Sequence, residues 1–182
     1  MTDREYALGL PSGHATVVPY DDRWAALFQE AAAELRRTLG DRILEIEHVG
    51  GTSVPGLAAK PILDILIGVP DLQRALHLVP DLQRVRYEYR PDEEIPDRHF
   101  FRRRTADLRT HHLSLAEPTS RHYRITLVFR DALRADADLA QEYGALKLAL
   151  AERFPRDREA YSKGKTDFVM RVLRSHGAAG CS

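Results

Sequence analysis

Two short stretches hold the residue types that chemistry needs. In His48-Val49-Gly50-Gly51-Thr52-Ser53 an apolar run ends in two glycines followed by two hydroxyls. Paired glycines let the backbone take positive φ and come close to a ligand. The exposed N–H groups and hydroxyls of such a turn suit phosphate oxygens. Further on, Lys60-Pro61 leads into Ile62-Leu63-Asp64-Ile65-Leu66-Ile67, which is apolar except for Asp64. A carboxylate in a strand that reads as buried needs a partner, hydrogen bonds or a cation. Gly50, Gly51, Thr52 and Ser53 are therefore expected to hold phosphate. Asp64 is expected to hold the Mg²⁺ that bridges it. Each residue also has a plainer reading. The turn can be only a turn, and Asp64 can be paired with an arginine or held by backbone N–H groups. Lys60 neutralises phosphate, pairs with Asp64 or is a solvated loop lysine. His48 contacts substrate and moves a proton near neutral pH, or is a core histidine.

More candidates lie downstream. In the run 110–117, alternation puts Leu113 and Leu115 on one face and His112, Ser114 and Ala116 on the other. His112 is a candidate metal ligand or general base. Arg98 and Arg102-Arg103-Arg104 form a basic patch that either binds an anionic substrate or is a solvated strand face. Lys147, Tyr161 and Lys165 either close over the site as phosphate-binding groups or form a helix surface with snorkelling lysines. His111, His112 and His122 raise the question of zinc, but their spacing fits no helical metal motif and no cysteine supports it.

The elements that must position these residues follow from periodicity. A helix runs from Asp21 or Asp22 to Leu39, apolar at Trp24, Leu27, Phe28, Ala31 and Leu35, and Gly40 ends it. Residues 43–49 read as a strand with Leu44, Ile46 and His48 on one face. Residues 62–69 form the next strand. A helix of roughly ten residues opens at Pro70-Asp71 and ends near Pro80. Strands follow at 85–89, 99–104 and 110–117, with an acidic loop at 91–96. Past Pro118 the pattern is helical: one helix capped by Thr119 or Ser120, a second from Asp136 broken by Pro155, and a third from Arg158 to His176. The fold class is α+β: a mixed sheet of about five strands with flanking helices and a helical C-terminal third. Residues 1–13 read as a flexible arm, 14–175 as a single domain and 176–182 as a flexible tail.

Composition bounds the rest. Lys plus Arg and Asp plus Glu are 27 each over 182 residues, so no overall field draws the chain to nucleic acid or membrane. Cys181 is the only cysteine. A disulfide framework is therefore excluded within one chain, in keeping with a reducing cytoplasm. No signal peptide or membrane-spanning run is read.

Gly50-Gly51 before a strand carrying Asp64 resembles the signature of polymerase-β-like nucleotidyltransferases. That family uses paired carboxylates to hold metal. Here Leu66 stands where the second acid belongs, and no third acid is in register unless Glu117 reaches in. Taken whole, residues 16–174 resemble the bacterial GrpB family. The carrying segments are Pro19-Tyr20-Asp21 with Trp24, Glu47 to Leu57, Lys60 to Ile65, Phe129-Arg130-Asp131 with Leu133-Arg134, Tyr143 with Lys147, and Tyr161 with Lys165 to Phe168. The resemblance implies a nucleotidyltransferase-like sheet, and a related domain fused to dephospho-CoA kinase points toward nucleotide or coenzyme metabolism. The chain has no Gly-x-x-x-x-Gly-Lys-Ser/Thr loop and is not itself that kinase.

The leading expectation is Mg²⁺-dependent nucleotidyl or phosphoryl transfer to a small molecule. In it the glycine turn and Ser53 hold a nucleoside triphosphate and Asp64 holds one metal. His112 orients the metal or takes a proton, while Lys60 and Lys147 neutralise developing charge. The alternatives are a non-catalytic nucleotide- or coenzyme-binding module that assists a partner protein, and an ATP-dependent small-molecule ligase.

Overall fold

A computed structural model describes residues 7–11, 14–93 and 95–178. Glu94, Cys181 and the ends of the expected arm and tail lie outside the described residues. The sheet has six strands: β1 (Leu10–Pro11), β2 (Glu45–Val49), β3 (Leu63–Gly68), β4 (Tyr87–Tyr89), β5 (His99–Thr105) and β6 (Leu108–Ala116). Their order is β2-β3-β6-β5-β4, with β1 paired to the start of β6. Every pairing is antiparallel except β3 with β6. That parallel pair sets Asp64 directly beside His112.

The strand alternation decides which residues face which layer. Leu63, Ile65 and Ile67 of β3 and Leu113 and Leu115 of β6 point to one side. There they meet Trp24, Phe28, Leu35 and Leu39 of helix α1 (Arg23–Leu39). Leu66 and Ala116 point to the other side and pack with Val49 and with Tyr123 of helix α3 (Arg121–Ala135). Asp64 and His112 share that second side but lie toward the other end of the strands. They open into a cleft under the C-terminal helices α4 (Ala137–Arg153), α5 (Arg158–Lys163) and α6 (Thr166–Ser175). Asp136 and Asp157 cap α4 and α5 by accepting from Leu139 N and Ala160 N, both at 2.9 Å. Ser120 caps α3 in the same way.

Four expectations are revised. The sheet has a sixth strand, β1, inside the stretch read as a loose arm. Leu8 and Leu10 are buried, and the Trp24 indole N–H donates to Ala7 O at 2.9 Å. A two-residue strand carries no period to read. The helix expected to end near Pro80 instead starts there. A 3-10 turn at Arg74–Leu78 runs into α2 (Val79–Arg84), and Pro80 sits in its first turn, where its missing N–H has no intrahelical partner to lose. The last helix is two, α5 and α6, divided at Gly164, where a β-carbon would lie 2.5 Å from Leu150 Cδ2. Leu44 stands just outside β2 and is exposed, although its N–H still donates to Gly68 O. Among the described residues, no helix is long and apolar enough to cross a membrane.

The acid missing at Leu66 is a packing position: its side chain is fully buried at the floor of the cleft, against Val49, Ala116 and Tyr123 of α3. Leu66→Asp is expected to lower unfolding free energy by about 3–5 kcal/mol, as an uncompensated buried charge does. Urea unfolding measures this, and wild-type stability in the variant would mean that α3 does not seal that face.

Candidate functional site

Gly50 is glycine for two reasons. Its φ is +69°, and a β-carbon there would lie 2.2 Å from Asp64 Oδ2. The turn is braced from behind. Ser53 Oγ donates to Gly50 O at 2.7 Å. Thr52 Oγ1 donates to Ile62 O at 3.3 Å and lies 3.0 Å from His48 Nε2. The hydroxyl has one proton and gives it to Ile62, so the ring offers Nε2–H. His48 stacks on Phe28 at 4.4 Å between centroids, and burial pushes its pKa down to about 4 despite the nearby Asp64 charge. The side chains of His48, Thr52 and Ser53 thus line a different cavity, with Arg130 and Arg134, and not the one at Asp64. They hold the turn in place, where the sequence suggested phosphate contacts. Alternation correctly sends His48 toward the core side, and the 3-10 turn at Gly51–Ser53 sends the two hydroxyls after it.

The cleft centres on one pair: Asp64 Oδ1 lies 3.0 Å from His112 Nδ1. The carboxylate is the more accessible partner, with its side chain 38% exposed against 19% for the imidazole. His112 Nε2 is buried and has no protein partner among the described residues. With Nδ1–H donated to Asp64, Nε2 is left as the acceptor. Glu117 does not reach in, because its Oε1 accepts from Leu72 N at 2.8 Å.

To one side of this pair is a cavity of about 260 Å³ lined by Lys60, Lys147, Lys165, Arg109, Arg158, Tyr143 and Tyr161. Lys147 is 4% exposed, and its ammonium has no hydrogen-bond partner among the described residues. It lies against Gly51, where a β-carbon would be 3.0 Å from Nζ, and 4.7 Å from the centre of the Tyr143 ring. Lys60 and Lys165 sit 4.0 and 4.7 Å from the centre of the Tyr161 ring. Burial first, and then the neighbouring Lys165, pushes both Lys147 and Lys60 down to about 7. Burial lowers Lys165 as well, against the pull of Asp64.

To the other side is a cavity of about 280 Å³ lined by Arg98, Phe100, His122, Thr126, Ser114 and Glu93. Gly50, Asp64, His112 and Arg158 line both cavities, so they are two halves of one cleft. Arg98 is here as expected. His122, Phe100, Arg109 and Arg158 were not singled out for this role. Arg158, Tyr161 and Lys165 recur at helical spacing, which is the signal that could have found Arg158.

The donor set does not fit a protein-held pair of Mg²⁺ ions. Hard cations want several oxygen ligands, and the cleft centre supplies one carboxylate and an imidazole amid lysines and arginines. Among the described residues, no group of three His, Cys, Asp or Glu side chains is placed to share a metal. Of the histidines that raised zinc, His111 is buried beside Thr110 and Tyr87.

A mixed sheet of this order, with a glycine turn closed on the carboxylate of the next strand, defines a nucleotidyltransferase-like α+β fold. Solved structures of the Cid1 poly(U) polymerase share it. One bound to MgATP has a TM-score of 0.54 at 14% identity, covering 75% of this chain and 45% of that one. One with Mg and 3'-dATP has a TM-score of 0.57 at 16% identity, covering 86% and 50%. At such identity the likeness is one of fold. The family model described as GrpB protein matches residues 14–175, and the chain belongs to the GrpB family. The crystal structure of conserved protein GrpB from Enterococcus faecalis matches with a TM-score of 0.80 at 32% identity, over 89% of this chain and 99% of that one. A UPF0157 protein of Halalkalibacterium halodurans is 39% identical over 90% of this chain and 83% of its own length. One of Pseudomonas aeruginosa is 41% identical over 86% and 65%. A dephospho-CoA kinase of Mycolicibacterium paratuberculosis is 32% identical over 80% of this chain, which spans only 42% of that protein.

The lysine half should make stability depend on pH. A base held below its ordinary value of 10.5 binds fewer protons folded than unfolded. The penalty is full below about 7 and fades as pH rises toward 10.5, so the ligand-free protein gains stability across that window. Lys147→Met is expected to raise unfolding free energy at pH 6.5 by about 1–3 kcal/mol and to flatten the pH slope, with Lys60 keeping part of it. Denaturant midpoints across the pH range check both effects.

Proposed function

We propose that the lysine half of the cleft binds the phosphate chain of a nucleotide or another phosphorylated small molecule, and that the Asp64–His112 pair serves a transfer from it to a second small molecule. The observation that supports this most is Lys147: a buried ammonium with no hydrogen-bond partner among the described residues, beside the glycine turn and drawn by the charge of Asp64. Such a group is costly unless an anion completes it. Lys60, Lys165, Arg109 and Arg158 around it favour a polyanion.

In this reading the acceptor's hydroxyl or amine gives its proton to His112 Nε2, and Asp64 holds the opposite edge of the imidazolium that results. The acceptor atom bonds to phosphorus. The bond from phosphorus to the leaving phosphate oxygen breaks, and that oxygen keeps the electron pair. The lysines receive its charge. Mg²⁺ that arrives with a nucleotide is compatible with this, but no step relies on protein carboxylates to hold it. The Mg-nucleotide complexes of Cid1 add support by fold alone.

A second reading, a non-catalytic nucleotide- or coenzyme-binding module, is favoured by Leu66 and by the absence of a third acid at His112. The match within a dephospho-CoA kinase suggests a context for it.

Calorimetry and thermal-shift measurements with ATP, UTP, coenzyme A and inorganic pyrophosphate, with and without Mg²⁺, test both readings. A triphosphate or pyrophosphate is expected to bind wild type, and Lys147→Met to bind at least tenfold more weakly. Asp64→Asn is expected to keep binding and lose turnover in the presence of acceptors. Binding without turnover in wild type favours the module, and no binding of any of these anions sinks both readings.

A further inference from the structure

The two halves of the cleft differ in charge, and the difference separates their ligands. The lysine half sets Lys60, Lys147, Lys165, Arg109 and Arg158 against Asp64. The other half sets Arg98 and Arg158 against Asp64 and Glu93. His122 in this half is pushed down to about 4 by burial and then by Arg98, and so adds no charge at neutral pH. A polyanion suits the first half and a single negative charge suits the second.

Arg98 is held ready for such a charge. Its guanidinium lies over the Phe100 ring at 4.6 Å, and Nη2 donates to Glu93 O at 2.9 Å. A tight turn fixes its backbone, with Arg98 N donating to Ile95 O at 3.0 Å. Arg98 Nε is buried without a partner, and among the described residues the guanidinium makes no ion pair. Glu93, whose charge acts on Arg98, is engaged elsewhere, since its Oε2 is 2.5 Å from Arg102 Nη2 and 3.5 Å from Arg158 Nη2. A planar guanidinium in the cavity wall, with no ion pair among the described residues, matches a carboxylate. The rest of this half is apolar or hydroxylic: Val49, Leu66, Ser114 and Thr126. Its inner wall is the Asp64–His112 pair.

We infer that the Arg98 half is the acceptor subsite, and that the acceptor is a small hydroxy- or amino-carboxylic acid. Its carboxylate pairs with Arg98, and its hydroxyl or amine faces His112 Nε2. This assignment rests on the reading that the lysine half takes the phosphate compound.

Ligand-observed NMR on the full chain tests it with glycolate, D-glycerate and L-serine as probes and glycerol as the uncharged control. Each is measured with and without saturating inorganic pyrophosphate, on wild type, Arg98→Met, Arg98→Lys and Lys147→Met. At least one carboxylate is expected to bind wild type alongside pyrophosphate and Arg98→Met at least tenfold more weakly, and, in the arm without pyrophosphate, to bind Lys147→Met as it binds wild type. Arg98→Lys keeps the charge without the fork and should recover only part of the loss, which guards against a folding artefact. Glycerol should not bind. The inference is overturned if no probe binds, if pyrophosphate displaces the carboxylate, or if Arg98→Met leaves it bound. Arg98-dependent binding of inorganic phosphate in place of any carboxylate overturns the assigned class. Failure of pyrophosphate itself to bind counts against the lysine-half reading and is seen separately, because the carboxylate arm is also run without it.

Discussion

The contact on which the cleft depends is the approach of the Asp64 carboxylate to the bare α-carbon of Gly50. It fixes how the chain leaves β2, because no side chain fits at position 50 while Asp64 stands opposite. The braces behind the turn keep that approach tight: Ser53 to Gly50 O, Thr52 to Ile62 O, and His48 between Thr52 and Phe28. Parallel pairing of β3 with β6 then brings His112 to the same carboxylate. Backbone geometry thus delivers one acid and one imidazole to a single point, and everything else in the cleft is arranged around that point.

What surrounds the point is electrostatically one-sided. A fold that only needed to be stable would not bury an ammonium without a partner against a glycine turn. It would fill the space with leucine, as it does at position 66 on the same strand. The contrast within β3 is informative. One end of the strand is packed for stability under α3, and the other carries charge that folding alone does not reward.

Much of this was legible in the sequence. Glycine pairs and a lone acid in an apolar strand stand out locally, and strand alternation sorted His112 and Ser114 from Leu113 and Leu115 correctly. Lys147, Tyr161 and Lys165 do converge with Gly50, Gly51, Lys60 and Asp64. What escaped was non-local or too short to have a period. The two residues of β1 pair with a strand far along the chain. A 3-10 turn rotates Thr52 and Ser53 away from the face that a simple reading gives them. Arg158 shares helical spacing with Tyr161 and Lys165, but that it lines both halves of the cleft follows only from how α5 packs.

The lysine wall has a consequence beyond charge neutralisation. With Lys60 and Lys147 both poised near neutrality, a polyanion bound as proposed would restore their full charge, and the protons for this would come from solvent. Ligand capture and proton uptake are then a single linked event. The heat of association will depend on which buffer supplies the proton, and the occupied cleft will favour acid where the empty fold favours base.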